Sequence, residues 1–519
     1  MPDLAVVVVL AAYGVVVALL SLYGVGFARL TWIALRDQDR RPATGPVIDW
    51  PTLTVQLPIF NERYVADRLI DAVARLAYPG PVEIQILDDS TDDTVAIVAR
   101  AVEHWRERGL AIVHLHRALR TGYKAGALAE GLRVARGELV ALFDADFMPA
   151  PDFLTRLVPI LVADPGLAFV QARWDHIDAH GSTLAGVQAL SIDGHFAIEQ
   201  QARWSRGDWF NFNGTAGIWR AAAIVDAGGW RSTTLTEDLD LSYRAFLRGW
   251  RAAFSVEVAV PSELPAGINA YRRQQSRWAR GSLECAVLHL GAVLRAPIPL
   301  RRRLWAGLHL TGYGIHLLLL ALSLLYPLLL NVVEGRPGAV ETLGLLGIFG
   351  IPALAPTIMF VSAQSILGRL RLASLPHLAV LTLVGVGMMV NTGRAALETA
   401  IGVRGRFERT PKFGVVAVEG SWRHLGYDVR SEATVLAEIA IAALNASTAI
   451  RAFAEGFWAI AVFAALFAAG LALVAGMSIA EVVHGTLVRR YLLPSPIAAL
   501  YPVTIGGSDD RPPRPPQSA

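Results

Sequence analysis

Apolar and polar positions divide the chain into three stretches. Leu4 to Ala28 runs for about 25 residues without a charge, long enough to cross a bilayer as a helix. From about Arg36 to Arg303 the apolar positions come in short runs broken by polar turns. Beyond it lie apolar runs near Leu304–Leu330, Thr342–Gln364, His377–Ile401, Thr434–Ile450 and Phe457–Met477. The tail Ser508–Ala519 is rich in Pro and polar residues, has no periodicity and reads as disordered.

The middle stretch alternates two periods. Leu53–Ile59, Glu83–Leu87, Ala111–Leu115 and Glu138–Phe143 are strand-like; Glu62–Leu76, Asp93–Arg108 and Lys124–Arg136 are helical. This βαβα order predicts an α/β domain with a mostly parallel sheet and helices on both faces. Ligands of such sheets sit beyond the carboxyl ends of the strands.

Charges orient the flanking runs. The first run has no basic segment before it and no small-residue cleavage pattern after it, so it reads as an anchor and not a cleaved signal. Arg29, Arg36, Arg40 and Arg41 follow it and place the α/β domain in the cytoplasm. If His377–Ile401 crossed the membrane, Arg404, Arg406, Arg409, Lys412 and Arg423 would lie outside. That run also carries Asn391, Arg394 and Glu398, which are costly at the centre of a bilayer. It is therefore expected to be an interfacial helix. Five spans are expected, with Arg489 and Arg490 ending in the cytoplasm. The chain then divides into an anchor (1–35), a cytoplasmic domain (36–303), membrane helices (304–480) and a tail (481–519), as in a multi-pass inner- or plasma-membrane protein.

Composition narrows the function. Hydrophobic residues make up 54% and charged ones 18%, against roughly 25% charged in ordinary soluble domains. That excludes a disordered protein and a purely soluble enzyme. The net charge of +3 does not suit a dedicated nucleic-acid binder. The single cysteine, Cys285, permits neither an intramolecular disulfide nor a Cys-rich zinc site.

Two acidic clusters stand at the ligand-facing strand ends: Asp88-Asp89-Ser90 after the second strand and Asp144-Ala145-Asp146 after the fourth. Carboxylates so placed suit a divalent cation and a hydroxyl-bearing nucleotide. Asp also caps turns and helices, but two clusters at equivalent places favour a ligand.

Six motifs then occur in order: Asp88-Asp89-Ser90-Thr91-Asp92-Asp93, Arg120-Thr121-Gly122-Tyr123-Lys124-Ala125-Gly126-Ala127, Phe143-Asp144-Ala145-Asp146, Phe212-Asn213-Gly214-Thr215-Ala216-Gly217, Thr236-Glu237-Asp238 and Gln274-Gln275-Ser276-Arg277-Trp278. The set resembles the family 2 glycosyltransferases of the cellulose-synthase superfamily, and is most similar to their mannan/glucomannan synthase-like branch. The resemblance covers about Leu53 to Lys412 and implies a GT-A-type catalytic domain inserted between transmembrane helices.

The resemblance also implies roles. Asp88 and Asp89 would contact the base and ribose of the nucleotide, and Lys124 would sit near the nucleotide or its phosphates. A lysine in the first turn of a helix opposes the dipole, which also favours an anionic ligand there. Asp144 and Asp146 would serve a Mg²⁺ or Mn²⁺ ion that neutralises the leaving diphosphate. Asp238, beside Glu237, would be the general base of an inverting transfer. Read without the resemblance, Thr236 is an N-cap and the two acids are first-turn residues. Gln274 and Arg277 would meet the diphosphate and Trp278 the acceptor sugar. The same helix is expected on the membrane surface, with Arg272, Arg273, Arg277 and Arg280 toward headgroups and the motif toward the site. Asn213, Gly214 and Thr215 would line the acceptor site. Phe407-Glu408-Arg409-Thr410-Pro411-Lys412 resembles the family's gating loop, Phe-x-Val-Thr-x-Lys, with Arg409 in place of Val. Within the stretch 403–414, Thr410 and Lys412 would close over the diphosphate.

The expected activity is a processive, inverting transfer of hexose from GDP-mannose or UDP-glucose to a growing β-linked polysaccharide that is secreted through the membrane helices. The alternatives are a glycolipid glycosyltransferase adding one or a few sugars to a lipid acceptor, and a non-enzymatic receptor or transporter on a degenerate fold. Expected partners are a nucleotide-sugar donor, a glycan or lipid acceptor and the bilayer, with no nucleic acid. Nothing in the chain identifies a protein partner.

Overall fold

The computed structural model describes residues 4–177, 179, 181–334, 353–403, 405, 410, 412, 414 and 434–491. Its centre is a seven-stranded mixed sheet: β1 (Leu53–Ile59), β2 (Val82–Asp88), β3 (Ile112–His116), β4 (Leu139–Leu142), β5 (Leu167–His176), β6 (Gly217–Arg220) and β7 (Arg251–Ser262). The spatial order is β3-β2-β1-β4-β6-β5-β7. β1 to β4 are parallel, as the alternation of strands and helices requires, whereas β6 runs antiparallel to β4 and β5.

Period-two alternation gives the sheet two cores. Leu139 and Ala141 join Val55, Leu57, Ile84 and Ile86 beneath the helices Ala66–Ala74, Thr94–Arg106 and Phe153–Ala163. Val140 and Leu142 face the other way, to Leu128, Phe169, Trp219 and Tyr243. The second helix is shorter than the expected Glu62–Leu76, because its first residues form a turn in which Val65 and Ala66 donate to the Glu62 carbonyl.

Among the described residues, five helices are long and apolar enough to cross a membrane: Leu4–Arg36, Gly312–Val333, Leu375–Ala400, Val435–Ala454 and Trp458–His484. The expected span Leu304–Leu330 is corrected to Gly312–Val333. A separate helix, Leu300–Leu310, ends at Thr311 and a short turn through Gly312–Gly314, and it packs on the α/β domain instead. There the Tyr243 hydroxyl donates to the Ala306 carbonyl at 3.1 Å. Leu375–Ala400, expected at the interface, also qualifies by length and apolarity. It is divided near Met388, and its second half, Met389–Ala400, packs on the helix that carries the last motif. Much of the expected run Thr342–Gln364 lies outside the described residues; its end belongs to the helix Ala355–Ile366.

The first helix is fastened to the α/β domain at its polar end. Arg29 pairs with Asp208 at 2.7 Å and stacks over Trp305 at 4.4 Å. Gln201 donates to the carbonyls of Asp37 and Arg40 at 3.1 Å.

Candidate active site

Strand ends deliver the acidic clusters to one mouth. β4 stops at Leu142, and the turn that follows carries Asp144 and Asp146. The Asp144 backbone N–H donates to the Thr215 hydroxyl at 2.8 Å. Thr215 is fully buried and so positions Asp144; it does not line the cavity. Lys124, in the first turn of the helix Tyr123–Val134, donates to Asp144 at 2.5 Å and to the Gly214 carbonyl at 3.0 Å. Its pKa is raised: burial pulls it down, but the charges of Asp144 and Glu237 outweigh that.

Gly214 sits at φ +77°, and a Cβ there would stand 3.0 Å from an Asp238 carboxylate oxygen. Both the left-handed backbone and the close approach call for glycine. Asp238 lies in the first turn of the helix Glu237–Leu247. Thr236 is the residue before that helix but makes no side-chain cap. Burial, then the charge of Glu237, pushes the Asp238 carboxyl up to about 7, with Lys124 opposing. A carboxylate in that range suits proton abstraction near neutral pH.

The helix Ile268–Arg295 lines the site with its Gln-Gln-Ser-Arg-Trp segment. Gln274, Arg277 and Trp278 face the cavity. Burial lowers the Arg277 pKa, against the raising influence of Glu237, Asp144 and Asp238. The expected orientation of two other arginines is corrected. Arg272 is fully buried and forms a two-pronged pair with Glu438 at 2.6 and 2.9 Å. Arg280 is buried and paired with Glu398. Neither faces headgroups, because carboxylates on neighbouring helices claim them.

Lys412 donates to Asp146 at 2.6 Å and to the Glu263 carbonyl at 2.8 Å. Thr410 is buried in the cavity wall. Phe407, Glu408, Arg409 and Pro411 lie outside the described residues.

These groups share a cavity of about 570 Å³, within the range of ligand pockets. It holds Asp89, Asp144 and Asp146 at one end, with Asn213, Glu237 and Asp238 beside them. It continues past Tyr23 and Phe27 of the first helix to Trp305, Tyr313, His316 and Phe360 of the later helices. Asp88 does not line it. That side chain is fully buried behind the mouth, bonded to His114 at 2.8 Å. Asp89 does line it and is clamped by Arg117 through two 2.6 Å bonds.

Several lining residues belong to no motif. Trp174, near the end of β5, stands 6.5 Å from Trp278, and its indole N–H has no protein partner. A strand-end rule extended to β5 would have found it. His195 opens a π-helical turn, His195–Gln200, and meets the Asn213 amide at 2.9 Å. Such turns often occur at functional sites. His316 also lines the cavity with a buried, unpartnered ring nitrogen.

Asp144 and Asp146 offer hard oxygen donors that fit Mg²⁺ or Mn²⁺. Each now faces an ammonium group, Lys124 or Lys412, and a bound cation would take over that neutralising role.

Residues 51–281 match the model of the glycosyltransferase-like family 2. Over 263 residues the chain is 43% identical to glucomannan 4-beta-mannosyltransferase 1 of Oryza sativa subsp. japonica, covering 48% of this chain and 50% of that protein. Glucomannan 4-beta-mannosyltransferase 2 of Arabidopsis thaliana is 43% identical over 281 residues, covering 52% and 51%. The chain thus spans about half the length of the curated relatives it matches. Among solved structures, a mannosyltransferase from Pyrobaculum calidifontis in complex with GDP-Man and Mn2+ aligns at TM-score 0.47 and 22% identity, over 69% of this chain and 98% of that one. That likeness is too distant to bear on the chemistry.

Proposed function

We propose, from the premise that residues 51–281 form a domain of the glycosyltransferase-like family 2 in its mannan synthase-like branch, that the protein is a membrane-embedded inverting hexosyltransferase. It moves a hexose, mannose from GDP-mannose before glucose from UDP-glucose, onto a growing β-linked polysaccharide. One observation carries the reading: the cavity that holds Asp238 beside Asp144, Asp146, Lys124 and Arg277 runs on between helices long and apolar enough to cross a membrane.

The residues divide the work by position. The acceptor hydroxyl lies next to Asp238, which takes its proton as the new bond to the anomeric carbon forms. The bond to the diphosphate breaks on the opposite face, so configuration inverts. Lys124 and Arg277 supply positive charge where the diphosphate leaves. Asp144 and Asp146 would hold a Mg²⁺ or Mn²⁺ ion, which would supply further electrostatic stabilisation of that leaving group. Trp278 and Trp174 present aromatic faces to the acceptor sugar. Gln274, Thr410 and Lys412 close the donor end and exclude water.

The arginines after the first helix support a cytoplasmic catalytic domain in a multi-pass inner- or plasma-membrane protein. The test is a donor screen with the full-length protein in lipid nanodiscs, followed by product sizing and linkage analysis. A β-linked polymer from GDP-mannose is the expected product. Lipid-linked mono- or disaccharides alone would refute the polymer reading.

A further inference from the structure

Asp88, outside the cavity, has its own neighbourhood. β3 is the edge strand of the sheet, and its His114 and His116 are two residues apart, so their side chains share a face. Asp88 ends β2 and pairs in register with His116. One Asp88 oxygen lies 2.8 Å from His114 Nε2 and 3.5 Å from His116 Nδ1. All three donor atoms fall within 4.8 Å of one another.

From this geometry we infer that Asp88, His114 and His116 form a second metal site, for Zn²⁺, distinct from the Asp144/Asp146 pair. A tetrahedral ion with bonds of about 2.0–2.2 Å needs ligand atoms roughly 3.3–3.6 Å apart. The 3.5 Å contact already has that separation and the 2.8 Å contact is shorter by about 0.5 Å, so small side-chain rotations load the ion. Two imidazoles with one carboxylate suit a borderline cation, unlike the all-oxygen pair at Asp144 and Asp146.

The surroundings complete the site. The other Asp88 oxygen accepts from the Ser90 backbone N–H at 2.8 Å, which fixes the carboxylate's direction. The Asp88 side chain is fully buried, whereas that of His116 is 40% exposed. The fourth position therefore opens to water, from which the ion can enter. The Asp88 carbonyl accepts from the Arg117 backbone N–H at 2.9 Å, and Arg117 is the residue that clamps Asp89. An ion here ties the β2 and β3 ends together directly behind the donor end of the cavity.

The experiment uses tag-free, full-length protein in detergent, stripped with chelator and titrated with Zn²⁺ against a chromogenic competitor. One tightly bound Zn²⁺ per chain is expected, with two nitrogen ligands and oxygen in its X-ray absorption shell. The exposed-site variant His116→Ala should weaken binding at least about a hundredfold, the upper end of what losing even an outer-shell partner costs. The double variant Asp144→Asn/Asp146→Asn should keep it. Absence of bound Zn²⁺, or unchanged affinity in His116→Ala, would mean that the imidazoles serve only as hydrogen-bond partners of Asp88, and would overturn the site. Loss of Zn²⁺ in the Asp144/Asp146 variant would overturn it as well.

Discussion

Replacing Asp238 by Asn removes a charge and leaves the shape. Two effects of opposite sign follow. If Asp238 takes the acceptor proton, its loss costs about 10²–10⁴ in rate, or roughly 3–5 kcal/mol of barrier. The stability change runs the other way. The carboxyl sits at about 7 in the fold, against about 4 unfolded. The folded protein therefore prefers the protonated form. The stability this group contributes is fully present below pH 4, is lost as pH rises through the window between 4 and 7, and stays lost above 7. Three units at 1.36 kcal/mol each set an upper limit of about 4 kcal/mol, reduced by whatever water in the cavity screens. Asp238→Asn should thus be nearly inactive yet melt higher than the parent at pH 8, with the gap closing at pH 4. The parent's kcat should fall about tenfold per pH unit below 7 as Asp238 is protonated. The assay is nucleoside diphosphate release with saturating donor and acceptor, paired with thermal unfolding in nanodiscs. A variant within threefold of parental kcat, or one that melts lower at pH 8, would refute the reasoning.

Three further outcomes are expected. Chelator should abolish turnover and added Mn²⁺ restore it, while Asp146→Asn should stay inactive at any Mn²⁺ concentration; full activity after chelation removes the metal role of Asp144 and Asp146. Arg272→Ala leaves Glu438 buried alone and should cost about 3–5 kcal/mol, whereas Arg272→Leu/Glu438→Leu should recover most of it; equal loss in both, by thermal unfolding, would show the pair's charge to be irrelevant. In Gly281→Ala the new Cβ meets the Thr236 side chain at 2.5 Å and its backbone nitrogen at 2.9 Å, which shifts the segment bearing Asp238. A displacement of about 1 Å there should lower kcat by roughly a hundredfold, with donor affinity by calorimetry unchanged; parental kcat would contradict it.

The fold was legible where local pattern and burial agree. The alternation through Leu53–Ile59 and Glu138–Phe143 marks strands whose two faces both meet helices, and the structure has them. The acidic turn after β4 was legible for the same reason: a strand end fixes where Asp144 and Asp146 must point. Asp88 was not separable from Asp89 by sequence, since adjacent residues at a strand end face opposite ways and only packing decides which lines the cavity. Arg272 and Arg280 belong to a run with Arg273 and Arg277 that reads as the headgroup face of an amphipathic helix lying on the membrane. Their partners lie far along the chain, at Glu438 and Glu398. A carboxylate inside an apolar run demands a cation, so the lone Glu438 in Thr434–Ile450 was the available clue. The break between the helices Leu300–Leu310 and Gly312–Val333 was hidden because both halves are rich in Leu. Trp174 and the turn at His195 carried no motif, and tertiary packing alone brings them to the cavity.

The Arg272–Glu438 pair has a bearing on biogenesis. The helix carrying Gln274, Arg277 and Trp278 is secured by residues from the helices Val435–Ala454 and Trp458–His484, Glu438 at 2.6 Å and Glu481 on the Asn269 backbone N–H at 3.2 Å. Every residue assigned to the chemistry is translated before either carboxylate leaves the ribosome. A nascent chain paused at residue 430 thus holds a complete set of catalytic side chains with the helix over the site unfastened. Under the proposed function, the helix over the site is therefore fastened only once the helices Val435–Ala454 and Trp458–His484 are in place.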